Sequence, residues 1–140
     1  MLLQGKKAII TGGTRGIGFS VAEVFLKNGA SVALFGSRQE TVDKALAQLK
    51  SENPAWEVIG MAPDLTDYAA LDAAFSEVEN RFGRIDILVN NAGISAREPL
   101  YEYTPEAFQR IMDLNVTAVF NGCRAAAIRM KAQGGGSIIN

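Results

Sequence analysis

The chain of 140 residues has the length of one ordinary domain, with 48% hydrophobic and 21% charged residues. This balance supports a buried core and argues against disordered and fibrous classes. A net charge of −1 argues against a nucleic-acid partner held by phosphate contacts. No apolar run approaches the roughly 18 residues of a membrane helix, so no membrane partner is expected. The sequence lacks histidine, which excludes His-based triads and His-ligated metals, and the single Cys123 predicts a reducing, cytoplasmic compartment.

Short apolar runs alternate with apolar residues at helical spacing along the whole chain. Strands are predicted at 7–11, 31–35, 56–61 and 85–90, and a fifth begins at 137–140. The helical stripes between them contain Ile17, Val21, Val24 and Phe25, then Val42, Ala45, Leu46 and Leu49, then Tyr68, Leu71, Phe75, Val78 and Phe82, and finally Phe108, Ile111, Val119, Ala126 and Met130.

Residues that favour helix ends flank these stripes. Gly29 and Gly83 are expected to end the first and third helices, because glycine readily adopts the left-handed conformation of a C-terminal cap. Thr66 or Asp67 is expected to cap the start of the third helix. Thr104, followed by Pro105, is a good start for the fourth helix.

The alternation of strand and helix predicts the fold class. The connections are too long for hairpins, so neighbouring strands are expected to be parallel. We therefore predict an α/β fold, a doubly wound parallel sheet in three layers, with the chain ending in the fifth strand. One domain is expected over 1–140. We expect it to be incomplete at the C-terminus, because a strand without its covering helix exposes a pairing edge.

The turn after the first strand is rich in glycine and has the spacing T-G-x-x-x-G-x-G over Thr11–Gly18. Gly12 would permit a tight turn, Gly16 the close approach of a diphosphate to the backbone, and Gly18 close packing of helix on strand. A P-loop is disfavoured, because Phe19 stands where its lysine would be. An ordinary tight turn between strand and helix is the alternative.

This spacing resembles the short-chain dehydrogenase/reductase family, and three further segments agree. Asn90-Asn91-Ala92-Gly93 is similar to the family's N-N-A-G, Asp64-Leu65 resembles its adenine-contacting position, and Asn115 falls where the family has a helix asparagine. The resemblance covers the whole chain, particularly to 3-oxoacyl-[acyl-carrier-protein] reductases. It implies a Rossmann-type NAD(P)-binding domain, hydride transfer between nicotinamide and a small ketone or secondary alcohol, and a homo-oligomer, either dimer or tetramer.

The cofactor contacts expected from the turn and from this resemblance lie at the ends of three strands. Two of these segments have alternatives: Asp64 would also serve a turn and helix cap, and 91–93 would also simply shape a loop. The expected contacts are Gly12, Thr14, Arg15, Gly16, Ile17, Gly18, Asp64, Leu65, Asn91, Ala92 and Gly93.

The end of the second strand predicts which dinucleotide is preferred. An NAD site usually has an acid there to bind the ribose 2′-hydroxyl, but this chain has Ser37 and Arg38, with no acid before Glu40. Arg38, together with Arg15 in the glycine turn, would pair with a 2′-phosphate. The alternative is that both arginines are simply solvated. We therefore predict NADP as the cofactor, with NAD disfavoured.

Asn115 interrupts the apolar stripe of the fourth helix and is therefore expected to be buried. A buried amide group without partners costs about 1–3 kcal/mol, so a satisfied structural amide is one interpretation. The resemblance implies another, in which Asn115 takes part in catalysis by holding a water against the catalytic lysine.

The family's Y-x-x-x-K motif is absent. Tyr68, Tyr101 and Tyr103 are followed at that spacing by Asp72, Pro105 and Ala107. The resemblance places the catalytic Tyr, Lys and Ser after the fifth strand, beyond Asn140, so the 140-residue chain alone is predicted to be inactive. The alternatives are a nucleotide-binding module without turnover and a methyltransferase of related architecture. The latter is disfavoured because it would require an acid after the second strand.

Overall fold

The computed structural model describes residues 1–140 and contains five strands and five α-helices. The strands are β1 (Lys7–Thr11), β2 (Ser31–Phe35), β3 (Val58–Met61), β4 (Ile87–Val89) and β5 (Ser137–Ile139). The helices are α1 (Gly16–Lys27), α2 (Gln39–Glu52), α3 (Tyr68–Phe82), α4 (Pro105–Met112) and α5 (Ala118–Gln133), with a 3-10 helix at Leu100–Glu102 and a π-helical segment at Asp113–Thr117.

The five strands form one parallel sheet in the order β3-β2-β1-β4-β5. β1 is central, and its residue Ile9 is paired with Ala33 of β2 and Leu88 of β4. The order of the strands reverses between β1 and β4, which is where a doubly wound sheet opens a crevice for ligands. The predicted fold class is confirmed, although β3 and β4 are shorter than predicted because their first residues make no ladder pairs.

Side chains alternate across β1 and so build a core on each face of the sheet. Ala8 and Ile10 pack with α1 and α2, whereas Ile9 packs with α3 and α5. The first core includes Ala22, Leu26, Val32, Leu34, Ala45 and Leu49, and the second includes Phe35, Leu71, Phe75, Val78, Leu88 and Met130. These two cores make the three layers of the fold.

The predicted stripe of α1 is only partly correct, since Val21 and Phe25 pack against the core but Ile17 and Val24 do not. The residues that α1 buries are Gly18, Ala22 and Leu26, whereas Ile17 is 77% exposed and Val24 is 55% exposed. Gly18 and Ala22 are small and allow the helix axis to approach the sheet closely, and Leu26 reaches the core at the end of the helix.

Three predicted helix ends are confirmed. Asp67 caps α3 by accepting hydrogen bonds from two backbone amides, and Gly83 ends that helix in the left-handed conformation, with φ +82°. The Thr104 side chain accepts from the Ala107 amide, with Pro105 at the first helical position. No helix in the structure is long and apolar enough to cross a membrane.

The predicted long stripe from residue 108 onwards is only partly correct. α4 and α5 form one nearly continuous rod, but the π-helical turn at Asp113–Thr117 lies between them. A π-turn adds a residue and therefore shifts the register of every side chain that follows. As a result Ala126 and Met130 are buried, while Phe108 is 56% exposed.

Candidate dinucleotide-binding site

The elbow between β1 and α1 depends on two glycines in a conformation that other residues rarely adopt. Gly12 has φ +65° and Gly16 has φ +56°. A Cβ atom on Gly12 would lie 2.9 Å from the Ala92 Cα atom, whereas one on Gly16 would meet no atom within 4 Å. Gly12 is therefore required by the fold, and Gly16 presents bare backbone to open space.

Gly18 has a third role and does not line the cleft that the elbow opens into. It is buried, and a Cβ atom there would lie 2.1 Å from the Gly12 carbonyl oxygen and 2.5 Å from Asn91 Nδ2. Its predicted packing role is confirmed. The expectation of a direct cofactor contact is corrected, because the residue lies behind the elbow.

The Thr11 hydroxyl joins the elbow to the segment that follows β4. It accepts hydrogen bonds from the backbone amides of Asn91 (3.1 Å) and Ala92 (3.0 Å) and donates to the Val89 carbonyl (3.4 Å). Asn91 Nδ2 in turn donates to the Gly12 carbonyl at 3.1 Å. Thr11 is not among the predicted site residues. Its position, as a polar residue at the end of an apolar strand, is the feature of the sequence that could have indicated this role.

A cleft of about 590 Å³ lies at the carboxyl ends of β1 to β4. It brings together most of the residues expected to contact a cofactor: Gly12, Thr14, Arg15, Gly16, Ile17, Ser37, Asp64, Leu65, Asn91, Ala92 and Gly93. Lining residues that the sequence analysis missed are Phe35, Gly36, Ala62, Pro63, Ile94 and Leu114. Most of these are apolar or backbone contacts without a motif to mark them.

The two residues at the end of β2 differ in position. Ser37 lines the cleft, whereas Arg38 is exposed at the start of α2 and is not among the lining residues. Arg15, in the elbow, does line the cleft. One of the two predicted phosphate-binding arginines therefore lies in the cleft wall, and the other is beside it.

Asp64 lines the cleft while its carboxylate also holds a tight turn. Its Oδ1 atom accepts from the Thr66 hydroxyl (2.6 Å) and the Thr66 amide (2.9 Å). These hydrogen bonds from Thr66 lower the pKa of Asp64, because they favour the charged form. The turn proposed as the alternative is thus present, while the helix cap belongs to Asp67.

The expectation that Asn115 is buried is wrong. The residue is exposed, because the π-helical turn that contains it carries it off the buried face. Its side chain nevertheless makes two hydrogen bonds: Oδ1 accepts from the Ile94 amide (2.8 Å) and Nδ2 donates to the Ile94 carbonyl (2.7 Å). Asn115 therefore holds the backbone between the cleft and a neighbouring pocket of about 500 Å³, which it also lines.

Two arrangements of side chains are absent: a cluster that could hold a metal ion and a tyrosine with a lysine at the family spacing. No group of three or more His, Cys, Asp or Glu side chains is arranged to hold a metal ion. No tyrosine has a lysine at the family spacing, and the Tyr103 hydroxyl donates to the Ala96 carbonyl. The site is thus a cleft of mixed polar and apolar lining, with glycine backbone on one side and no Y-x-x-x-K pair.

The fit of these residues to a dinucleotide can be judged from the elbow itself. No side chain caps the first turn of α1, and that turn has no acidic residue, so its amides and dipole suit an anion. The open Cβ position of Gly16 leaves room for a diphosphate against the backbone. Together with the position of the cleft at the reversal of strand order, this defines a dinucleotide-binding domain of the Rossmann type.

Comparison with known proteins places the domain in a family. Residues 6–140 match the family described as short chain dehydrogenase, so the chain belongs to the short-chain dehydrogenases, which are oxidoreductases that bind a nicotinamide cofactor.

Three relatives illustrate the match. The chain is 58% identical to 3alpha-hydroxysteroid dehydrogenase of Mediterraneibacter gnavus, over 100% of this chain and 56% of that protein. It is 34% identical to 3-oxoacyl-[acyl-carrier-protein] reductase FabG of Chlamydia muridarum, over 99% of this chain and 56% of that one. The crystal structure of NAD+-bound xylitol dehydrogenase superposes with a TM-score of 0.92 at 30% identity, covering 99% and 53%. The chain spans about half the length of the relatives it matches.

Proposed function

We propose that residues 1–140 are the cofactor-binding domain of an NADP(H)-dependent oxidoreductase. The observation that carries the proposal is the Gly12–Gly16 elbow, which opens bare backbone into the cleft at the reversal of strand order. When bound there, the nicotinamide supplies or accepts the hydride, and the substrate is a small ketone or secondary alcohol. The chain's own residues bind and orient the dinucleotide.

The preference for NADP(H) is proposed from the charge at the end of β2. Ser37 lines the cleft without an acid beside it, and Arg15 lines the same cleft. Arg38 follows Ser37 at the start of α2. A 2′-phosphate is attracted by guanidinium groups and would be repelled by the carboxylate of an NAD site.

Calorimetric titration of the chain with NADPH and NADH tests this proposal. We expect NADPH to bind at least about tenfold more tightly, a difference of about 1.4 kcal/mol. Ser37→Asp places a carboxylate in the cleft and is expected to remove or reverse that preference. NADH binding at least as tightly as NADPH to the unaltered chain would overturn the preference. No heat with either dinucleotide would overturn the proposed function itself.

We propose further that the catalytic Tyr, Lys and Ser lie beyond Asn140 in a longer protein. Residues 1–140 contain no Y-x-x-x-K, and the curated relatives are nearly twice as long. Asn115, which lines the pocket next to the cleft, would then hold a water against the catalytic lysine and so contribute to a proton relay. The 140-residue chain is expected to bind NADPH without oxidising it in the presence of a ketone. Turnover by this chain would contradict the assignment, whereas a longer protein that also binds NADPH without turnover would favour a nucleotide-binding module.

The substrate class to test first is a 3-hydroxysteroid. The chain is 58% identical to a 3alpha-hydroxysteroid dehydrogenase and 34% identical to a 3-oxoacyl-[acyl-carrier-protein] reductase. A steroid alcohol is therefore tested as substrate before an acyl thioester. NADP-linked oxidation of a 3α-hydroxysteroid by the longer protein is the expected result. Reduction of a 3-oxoacyl thioester alone would contradict it.

The proposal extends to assembly and location. The outer side of α4, the π-turn and α5 exposes apolar side chains, which are Phe108, Val116, Phe120 and Ile128. Such a row is typical of a surface covered by another subunit, and we propose a homo-oligomer, a dimer or tetramer. A cytoplasmic location is proposed from the single free Cys123.

A further inference from the structure

A buried asparagine on α5 contacts the wall of the cleft from behind. Asn121 is 6% exposed and is the only asparagine among the buried residues. Its Nδ2 atom donates a hydrogen bond of 3.1 Å to the carbonyl of Leu65. Its buried neighbours on α5 are small and apolar, including Ala118, Gly122 and Ala125. Asn121 is therefore a polar side chain in an apolar setting that donates a hydrogen bond to Leu65.

The partner of this hydrogen bond belongs to the binding cleft. Leu65 and the adjacent Asp64 both line the cleft at the end of β3. Thr66 fixes the Asp64 carboxylate within the turn through two hydrogen bonds. Those bonds make the turn rigid internally, but they do not fix its position relative to the sheet. The Leu65 side chain packs against the core beside α3 and α5, and the hydrogen bond from Asn121 adds a directional connection from α5 to the Leu65 backbone.

A second contact from α5 supports the same segment. The Arg124 guanidinium lies 4.4 Å from the centre of the Tyr68 ring, at the first residue of α3. A guanidinium at this distance from the face of an aromatic ring is attracted by the ring electrons. Helix α5 therefore holds the part of the connection between β3 and α3 that leads into α3, through Leu65 and through Tyr68.

We propose that Asn121 is a positioning residue for the β3 side of the cleft and thereby sets the affinity for the adenosine half of the dinucleotide. The inference rests on the proposed function. It concerns the half of the cleft next to Ser37 and Asp64, where the 2′-phosphate and adenosine are assigned, and not the half near Ile94 and Leu114. Asn121 touches no reacting atom and acts through Leu65 alone.

The test compares Asn121→Leu, which keeps the volume but loses the donor, with a matched control at the other end of the same helix. Gln133 Nε2 donates to the Ile85 carbonyl at 2.6 Å, and Gln133→Met removes that bond far from the cleft. Calorimetry on the full chain uses adenosine 2′,5′-bisphosphate and, separately, nicotinamide mononucleotide. Hydrogen exchange of the backbone amides at 62–66, without ligand, reports the position of the turn directly.

We expect Asn121→Leu to weaken binding of adenosine 2′,5′-bisphosphate by about three- to tenfold, as the loss of one hydrogen bond implies. Binding of nicotinamide mononucleotide should not change, and exchange at 62–66 should accelerate. Gln133→Met should change neither affinity nor exchange at 62–66. Asn121→Asp, which keeps the shape and replaces the donor by an acceptor, should act in the same direction and serves if the leucine variant does not fold.

The outcomes separate this inference from the proposed function. If the unaltered chain binds neither adenosine 2′,5′-bisphosphate nor NADPH, the proposed function fails. If it binds them and both Asn121 variants bind as tightly as Gln133→Met, the positioning role is refuted. Equal weakening of the adenosine and nicotinamide fragments also refutes it, because that result indicates general loss of structure.

Discussion

At the scale of single residues, the three glycines of the elbow are required for different physical reasons. Gly12 combines a positive φ with a close approach to Ala92, and Gly18 packs against the Gly12 carbonyl. Gly16 has a positive φ but an open Cβ position. Of the three glycines, only Gly16 has a free Cβ position, so its substitution separates binding from folding.

Replacing Gly16 by alanine is expected to weaken NADPH binding by about tenfold or more, because the added methyl group occupies the position assigned to the diphosphate. The matched control is Gly83→Ala, since Gly83 also has a positive φ and no atom within 4 Å of its Cβ position, but lies at the end of α3. Both variants should lose about 1–2 kcal/mol of stability from backbone strain. Calorimetry and urea unfolding measure the two effects, and equal affinity in both variants would contradict the assignment.

A second residue-scale contact lies at the opposite end of the sheet from the cleft. The Glu57 carboxylate accepts from the Ser31 hydroxyl and from Lys7 Nζ, the latter at 2.9 Å. The hydrogen bond from Ser31, and then that from Lys7, lower the pKa of Glu57 below its usual value of 4.5. A lowered pKa in the folded state means that the stabilisation is present above pH 4.5 and is lost as the pH falls through the folded-state pKa.

Replacing Glu57 by glutamine should therefore destabilise the protein at pH 7, and the difference from the unaltered chain should shrink on acidification below pH 4.5. Urea unfolding at several pH values measures this difference. Glu98→Gln is the control, because Glu98 is exposed and makes no ion pair. A difference between Glu57→Gln and the unaltered chain that is the same at pH 3 and pH 7 would count against the role of the charge.

At the scale of elements, one arginine joins the two helices on the same face of the sheet. Arg129 of α5 bonds to Asp72 and Glu79 of α3 at 2.7 Å each and to Ser76 at 2.9 Å. Its side chain is only 11% exposed. Burial opposes the charge, but the hydrogen bonds that Arg129 donates to the Asp72 and Glu79 carboxylates outweigh it and raise the pKa of Arg129. This cluster fixes α5 against α3, and α5 carries Asn121.

Replacing Arg129 by methionine is expected to lower the free energy of unfolding by about 1–3 kcal/mol, because several charge-assisted hydrogen bonds are lost. The cost stays moderate because Asp72 and Glu79 are partly exposed and become hydrated. Arg81→Met is the matched control, since Arg81 pairs with Glu77 on the surface of α3 and should cost less than about 1 kcal/mol. Urea unfolding compares them, and equal costs would contradict the bridging role of Arg129.

At the scale of the whole molecule, the row of exposed apolar side chains on α4 and α5 is the feature that the fold leaves uncovered. Phe120 is 64% exposed near the middle of that row. Burying it in a subunit interface would remove apolar surface from water at about 25 cal/mol per Å². A charged side chain at this position should therefore weaken the assembly, because its burial is unfavourable.

Replacing Phe120 by glutamate is expected to shift the protein from an oligomer to a monomer, as measured by light scattering with size-exclusion chromatography. Leu2→Glu is the control, because Leu2 is 90% exposed at the amino end and should leave the mass unchanged. A monomeric unaltered protein would refute the proposed assembly. An oligomer that persists in Phe120→Glu would place the interface on another surface.

The succession of strands and helices along the chain, the parallel pairing of the strands and the glycine elbow can all be predicted from the amino-acid sequence alone. These depend on local chemistry. A dense apolar run predicts a buried strand, and a turn that needs a positive φ favours glycine. Asp67, Thr104 and Gly83 were predicted as helix ends for the same local reason, and their hydrogen bonds or φ angles confirm them.

Two features depend on the tertiary structure: which face of each helix is buried, and which polar groups form hydrogen bonds with each other. The fully buried residues of α1 are Gly18, Ala22 and Leu26, whereas the apolar Ile17 and Val24 face outwards. The π-turn moved Asn115 onto the surface and against Ile94. The bond from Asn121 to Leu65 joins residues far apart in the chain, and packing distances of that kind are not encoded in local spacing.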